Sequence, residues 1–197
     1  MAYAVRHRGG TLLFDTGFGF ENAELDAYYR PRARRLPDVL AETGVAVGDI
    51  DAVVNCHLHV DHAGQNALFP GIPIFVQATE WEIAHTTDHT ILEWIDFDGA
   101  QYEQVAGDHE PFPGIRVIAT PGHTPGHQSL AVGTAEGLTV IAGQALYTAG
   151  EWRGDPDARE GRSRAPDPGA YDRSIERLRA LHPARVVFGH DREPWTA

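Results

Sequence analysis

The sequence predicts a mixed α/β fold in one domain, and three observations carry that expectation. Short β-branched runs alternate with helical stretches along the chain. A length of 197 residues is enough to bury one substantial core and falls within the range of a single domain, so residues 1–197 read as one unit. With 42% hydrophobic and 22% charged residues, the composition is that of a globular protein rather than a disordered or fibrous one.

Taken in order, the expected strands are Thr11 to Phe14, Ala52 to Val54, Pro73 to Val76, Arg116 to Ala119, Leu138 to Ile141 and Arg185 to Phe188. Helices are expected at Leu36 to Thr43, stopped by Gly44, and at Thr79 to His85. A third is expected at Pro168 to Leu181, where Tyr171, Ile175, Leu178 and Leu181 recur at helical spacing and Pro183 follows the end. These helices fall between strands and should cover sheet faces. The stretch from Thr148 to Gly169, rich in Gly, Pro and charge, reads as a long surface loop.

Sixteen Lys+Arg against 28 Asp+Glu give a formal net charge of -12, which repels phosphate backbones and argues against nucleic acid as a partner. No apolar run approaches the ~20 residues of a membrane-spanning helix, and the first residues turn polar too soon for a signal peptide. A cytoplasmic location without membrane attachment is the expectation. The lone Cys56 follows a strand and reads as small buried filler rather than a ligand or nucleophile.

Chemistry concentrates in His57-Leu58-His59-Val60-Asp61-His62. Directly after a strand, His57 and His59 sit at i and i+2 and project to one side, so both can reach one metal ion. Asp61 and His62 turn elsewhere and suit a neighbouring ion. Three histidines and an aspartate so close together would be costly as mere structure, because each would need its own hydrogen bonds. A second cluster, Thr120-Pro121-Gly122-His123-Thr124-Pro125-Gly126-His127, follows another strand; there His123 is a third candidate ligand, and His127 reads as a hydrogen-bonding residue of the turn. The third, Phe188-Gly189-His190-Asp191, again places a histidine just past a strand end. In α/β sheets such ends gather into one crevice.

In this order the His57 to His62 run, the Thr-Pro-Gly-His that contains His123, and Phe188-Gly189-His190 resemble the metallo-β-lactamase superfamily. That resemblance implies a four-layer αββα sandwich. Phe14-Asp15-Thr16-Gly17 is similar to the superfamily's Asp-Thr-Gly element, whose aspartate supports the site from behind the ligands. Within the superfamily, residues 59–66, 121–130 and 189–191 most resemble the N-acyl-homoserine lactone lactonases, quorum-quenching enzymes that carry two zinc ions.

Carried over position by position, the resemblance assigns His57, His59 and His123 to one zinc and Asp61, His62 and His190 to the other. It makes Tyr147 a catalytic residue that binds the substrate carbonyl, and a homodimer a reasonable expectation. Two departures stand out. Where the family has an aspartate bridging the metals, this chain has Gln144, a neutral amide that either ligates weakly and weakens the second site or is accommodated by water with both ions retained. The upstream first strand of the family also reads as short or absent here.

The expected activity is opening of a lactone or related ester by a metal-activated water, with Asp61 passing a proton to the leaving alkoxide and Tyr147 stabilising the oxyanion. No Gly-x-Ser-x-Gly is present, against a serine hydrolase of the α/β type. Trp81, Trp94, Phe97 and Trp152 read as ordinary core and surface aromatics rather than an acyl pocket. The rival readings are another hydrolase of this superfamily, acting on thioesters or β-lactams, and a metal-binding protein with little activity, motivated by Gln144.

Overall fold

Each expected strand forms, and a computed structural model describes all of residues 1–197. The chain divides into two compact units, one of Met1–Val76 with Glu82–Glu103 and the other of Gln77–Trp81 with Gln104–Ala197.

The first unit is built on a five-stranded sheet, β1 (Tyr3–His7), β2 (Gly10–Phe14), β3 (Ile50–Val54), β4 (Pro73–Gln77) and β5 (Gln101–Val105), lying in that order. A strand therefore precedes β2, paired antiparallel to it from Tyr3 opposite Phe14 to His7 opposite Gly10. Strands β2, β3 and β4 run parallel, so their carboxyl ends share one edge. Apolar side chains fill β2 and β3 because parallel strands are covered on both faces. Leu13, Ile50, Val53 and Ile74 form one core with Leu36 and Leu40 of α2 (Leu36–Glu42). Helix α1 (Ala23–Tyr29) buries none of its residues and is held by its Asn22 cap, which accepts from the Leu25 N–H. Helices α3 (Ala78–Thr86) and α4 (Leu92–Ile95) follow β4.

The second unit carries a six-stranded sheet in the order β11 (Trp195–Thr196), β10 (Arg185–Val187), β9 (Gly137–Ile141), β8 (Gln128–Thr134), β7 (Ile115–Ala119) and β6 (His109–Phe112). Because β7 and β9 each pair antiparallel with β8 while β10 is parallel to β9, the carboxyl ends of β7, β9 and β10 point the same way. All three lead into candidate site residues.

The segment from Thr148 to Gly169 is not the open loop its composition suggests. It folds into α5 (Ala149–Arg153) and α6 (Glu160–Arg164), with Ala149, Glu151, Trp152 and Gly161 buried. Alternating Gly and charge concealed short helices whose order comes from tertiary packing rather than propensity. Helix α7 (Pro168–Arg179) follows, with Pro168 in its first turn and Asp167 capping the Ala170 N–H at 2.8 Å. Its Tyr171, Ile175 and Leu178 share a core with Val140, Val186 and Phe188. No helix is long and apolar enough to cross a membrane. Since Leu178 is 0% exposed, Leu178→Ala is expected to lower unfolding stability by about 2–5 kcal/mol, read by urea denaturation; a change below about 1 kcal/mol would contradict this packing.

Candidate metal centre

The first unit positions its donors from the carboxyl ends of β2 and β3. Asp15 follows β2 with φ of 62°, a conformation that non-glycine residues adopt rarely and that tertiary contacts must enforce. Those contacts are visible. Asp15 Oδ1 accepts the Cys56 N–H at 2.8 Å, and Oδ2 lies 2.8 Å from His62 Nδ1. A carboxylate can only accept, so Nδ1 of His62 carries a proton, and Nε2, 3.3 Å from Asp61 Oδ2, is the nitrogen that can turn its lone pair to an ion. Such pairing fixes both the tautomer and the ring plane of a metal-ligating histidine.

The loop that follows β3 is laced to the turn after β2. The N–H groups of Thr16 and Gly17 donate to His62 O, that of Gly19 donates to Val60 O, and Gly64 N donates to Gly17 O. Gln65 and Asn66 close the lacing: the Gln65 amide donates to Thr16 O and Phe18 O, while Asn66 exchanges hydrogen bonds with Asn55 and accepts from the Thr16 hydroxyl. Within this frame His57, Asp61 and His62 each present one ligand atom, all within 4.8 Å of one another. His59 joins them, its Nδ1 2.9 Å from His57 Nε2, and stacks at 4.3 Å on His89.

Cys56 is fully buried as expected, yet it is more than filler. Its sulfur lies 3.1 Å from Asp15 Oδ2 and 3.0 Å from His57 Nδ1, and burial together with the Asp15 carboxylate pushes its thiol up to about 12, so it stays protonated. Burial alone would lower the His62 pKa, but the Cys56, Asp61 and Asp15 groups outweigh it and hold His62 well above its ordinary value. Such surroundings favour a positive charge, and imidazole and carboxylate donors are those a zinc-like ion prefers. The residues fit a metal.

The second unit assembles its set from β7, β9 and β10. Gly122 has φ of 145°, and a Cβ there would come within 2.5 Å of the Tyr171 backbone, so glycine lets α7 press against the turn that holds His123. Ser174 donates to Pro121 O at 2.7 Å, and Thr124 donates to the buried Glu80 at 2.6 Å. His123 is 8% exposed, with Nδ1 3.4 Å from the Tyr147 hydroxyl. His127 accepts the Gln144 N–H at Nε2 and meets Thr120 Oγ1 at Nδ1, 3.0 and 2.9 Å away. The turn role read from the sequence agrees with both contacts.

Gln144 is 4% exposed, with Nε2 2.5 Å from His190 Nε2, and its Oε1 is buried with no hydrogen-bond partner. Such an oxygen is costly unless something electropositive meets it, a role an ion would fill. The rings of Tyr147 and His190 lie 4.8 Å apart. Thus His57, His59, Asp61 and His62 come together in the first unit, and His123, Gln144, Tyr147 and His190 in the second.

The sequence reading missed His89, Glu80 and Glu151. Glu151 had a local signal, because Thr148-Ala149-Gly150-Glu151 matches the pattern of a helix-capping box.

The profile of the metallo-beta-lactamase superfamily matches residues 1–190. An N-acyl homoserine lactonase of Bacillus thuringiensis is 31% identical over 208 residues, covering 97% of this chain and 80% of the relative. The N-acyl homoserine lactonase AttM of Agrobacterium fabrum (strain C58 / ATCC 33970) is 33% identical over 223 residues, covering 98% and 82%. A solved N-acyl homoserine lactone hydrolase, with the product N-hexanoyl-L-homoserine at its catalytic metal center, is 28% identical at a TM-score of 0.83, covering 97% and 80%.

Asp15→Asn can donate as well as accept and no longer dictates which nitrogen of His62 carries the proton. It is expected to weaken metal affinity by about 10- to 100-fold in competition with a chromogenic chelator. Affinity equal to wild type would show that Asp15 does not set the ligand.

Proposed function

The chain belongs to the metallo-beta-lactamase superfamily and has its fold, and on that premise we propose that it is a metal-dependent hydrolase that opens N-acyl-homoserine lactones. The observation that carries the reading is the donor set of His57, Asp61 and His62 at the strand ends, its two histidines buried and His62 oriented by Asp15. The relatives named as lactonases supply the substrate class.

We assign metal ligation to His57, His59 and His123 for one ion and to Asp61, His62 and His190 for a second, with zinc as the metal. When bound, such ions supply Lewis acidity, polarising the ester carbonyl and acidifying water. Tyr147, 6% exposed and held beside His123 and His190, keeps its phenol aimed at the carbonyl oxygen and donates a hydrogen bond as negative charge develops there. Asp61 is the most exposed of the acidic donors, its side chain 36% accessible; it takes up the proton that the attacking water loses and passes it to the alkoxide released when the ring opens. Water adds to the carbonyl carbon, the ring C–O bond breaks, and the product is the N-acyl homoserine. Residues 1–197 act as one hydrolase domain in this reading, in the cytoplasm and as a homodimer.

Purified protein is expected to open N-hexanoyl-homoserine lactone, followed by proton release, to lose that activity on chelation and to recover it with zinc. Metal-loaded protein that cleaves neither lactone nor ester would refute the proposal. Tyr147→Phe should lower kcat by about 10²- to 10³-fold with its metal content unchanged.

We propose further that Gln144 limits the second ion, because an amide oxygen can ligate but brings no negative charge to offset a second divalent ion. Elemental analysis of Gln144→Asp is expected to show a higher metal-to-protein ratio than wild type. Equal ratios would mean that water and neighbouring groups accommodate Gln144 at no cost to the site.

A further inference from the structure

Glu151, in the first turn of α5, is 7% exposed, and a carboxylate so far removed from water must be compensated by donors. Its donors come from three separate segments. Oε2 accepts the Tyr147 backbone N–H at 2.7 Å and the Tyr171 hydroxyl of α7 at 3.0 Å. Oε1 accepts the Gly161 N–H of α6 at 2.8 Å and the Arg162 N–H at 3.4 Å. All four are neutral groups donating to an ion, the stronger kind of hydrogen bond.

The ring of Tyr147 is confined by the same network. At Gly161 a Cβ would stand 2.7 Å from Tyr147 Cδ1 and 2.1 Å from the Tyr171 hydroxyl, so the α6 backbone lies directly against the phenol ring. The ring centroid is also 4.8 Å from that of His190 and 5.8 Å from that of His123.

A plainer role for Glu151 would be to cap α5. In a capping box, the side chain of this residue returns to the N–H of the capping residue, here Thr148. Instead it takes the N–H of Tyr147, one residue earlier, and reaches ten residues ahead to Gly161.

We infer that Glu151 is a positioning residue for Tyr147, its buried carboxylate tying the Tyr147 backbone to the α6 turn that confines the phenol ring. This inference rests on the reading of Tyr147 as the residue that meets the substrate carbonyl. Glu151→Gln keeps the size of the side chain but replaces one accepting oxygen with a donor, which opposes the N–H and O–H groups now directed at it.

The test is a double-mutant cycle on the metal-loaded enzyme with N-hexanoyl-homoserine lactone, together with ¹⁹F spectra of 3-fluorotyrosine-labelled protein in which Tyr147 is identified from Tyr147→Phe. Glu151→Gln is expected to lower kcat by about 10- to 100-fold with little change in KM or metal content. Combined with Tyr147→Phe, it should be no slower than Tyr147→Phe alone, and the ¹⁹F resonance of Tyr147 should shift or broaden. Tyr171→Phe, which removes one of the donors to Glu151 without touching the Tyr147 ring, should shift the same resonance and serves the cycle if Glu151→Gln does not fold. Losses that multiply in the double variant, or an unmoved resonance, would overturn the inference. The ¹⁹F arm needs no turnover. Wild-type protein inactive on the lactone, or Tyr147→Phe as fast as wild type, would therefore overturn the functional reading while the resonance still decides whether Glu151 holds the ring.

Discussion

A carboxylate at 2% exposure has to be compensated by donors, and Asp15 finds them in the Cys56 N–H and in His62 Nδ1. Much of the first unit follows from this contact. The left-handed backbone at Asp15 holds the turn after β2 against the loop after β3, and Thr16, Gly17 and Gly19 then lace that loop through its carbonyls. With Nδ1 of His62 donating to Asp15, Nε2 is the nitrogen left to face an ion. A run of imidazoles and a carboxylate thereby becomes a preorganised donor set, rather than a group of side chains satisfying one another.

The second unit solves the same problem with different means. His127 is used up by the Gln144 N–H and Thr120, which anchors the turn after β9 to the turn after β7. Glu151 then ties Tyr147 to α6 and α7. His127 and Glu151 thus each fix the backbone of a neighbouring residue, Gln144 and Tyr147. Gln144 stands apart, since its backbone is anchored while its side-chain oxygen is buried without a partner.

The legibility of these parts in the sequence followed their range. Strand runs and the His57 to His62 motif are local patterns, and Asp15 was readable only through the resemblance of Asp-Thr-Gly to the superfamily's element. The Pro168 to Leu181 periodicity marked α7 to within two residues, for Ala180 already caps the helix. Helices α5 and α6 were not legible. Their five-residue spans are too short to show periodicity, and burial of Trp152 and Gly161 depends on α7 and its neighbours, distant in sequence. Glu80 and His89 were hidden for the same reason: their partners Thr124 and His59 lie 30 or more residues away, and nothing local to either marks the contact.

The central claim is that the laced histidines and Asp61 form a metal centre held ready by Asp15. A crystal structure of the zinc-loaded protein, with anomalous maps recorded on both sides of the zinc absorption edge, tests it most directly. The account predicts anomalous density at coordination distance from His57, His59, Asp61 and His62, with Nδ1 of His62 still on Asp15. Maps without such density, or with His62 turned so that Nδ1 leaves Asp15, would contradict it.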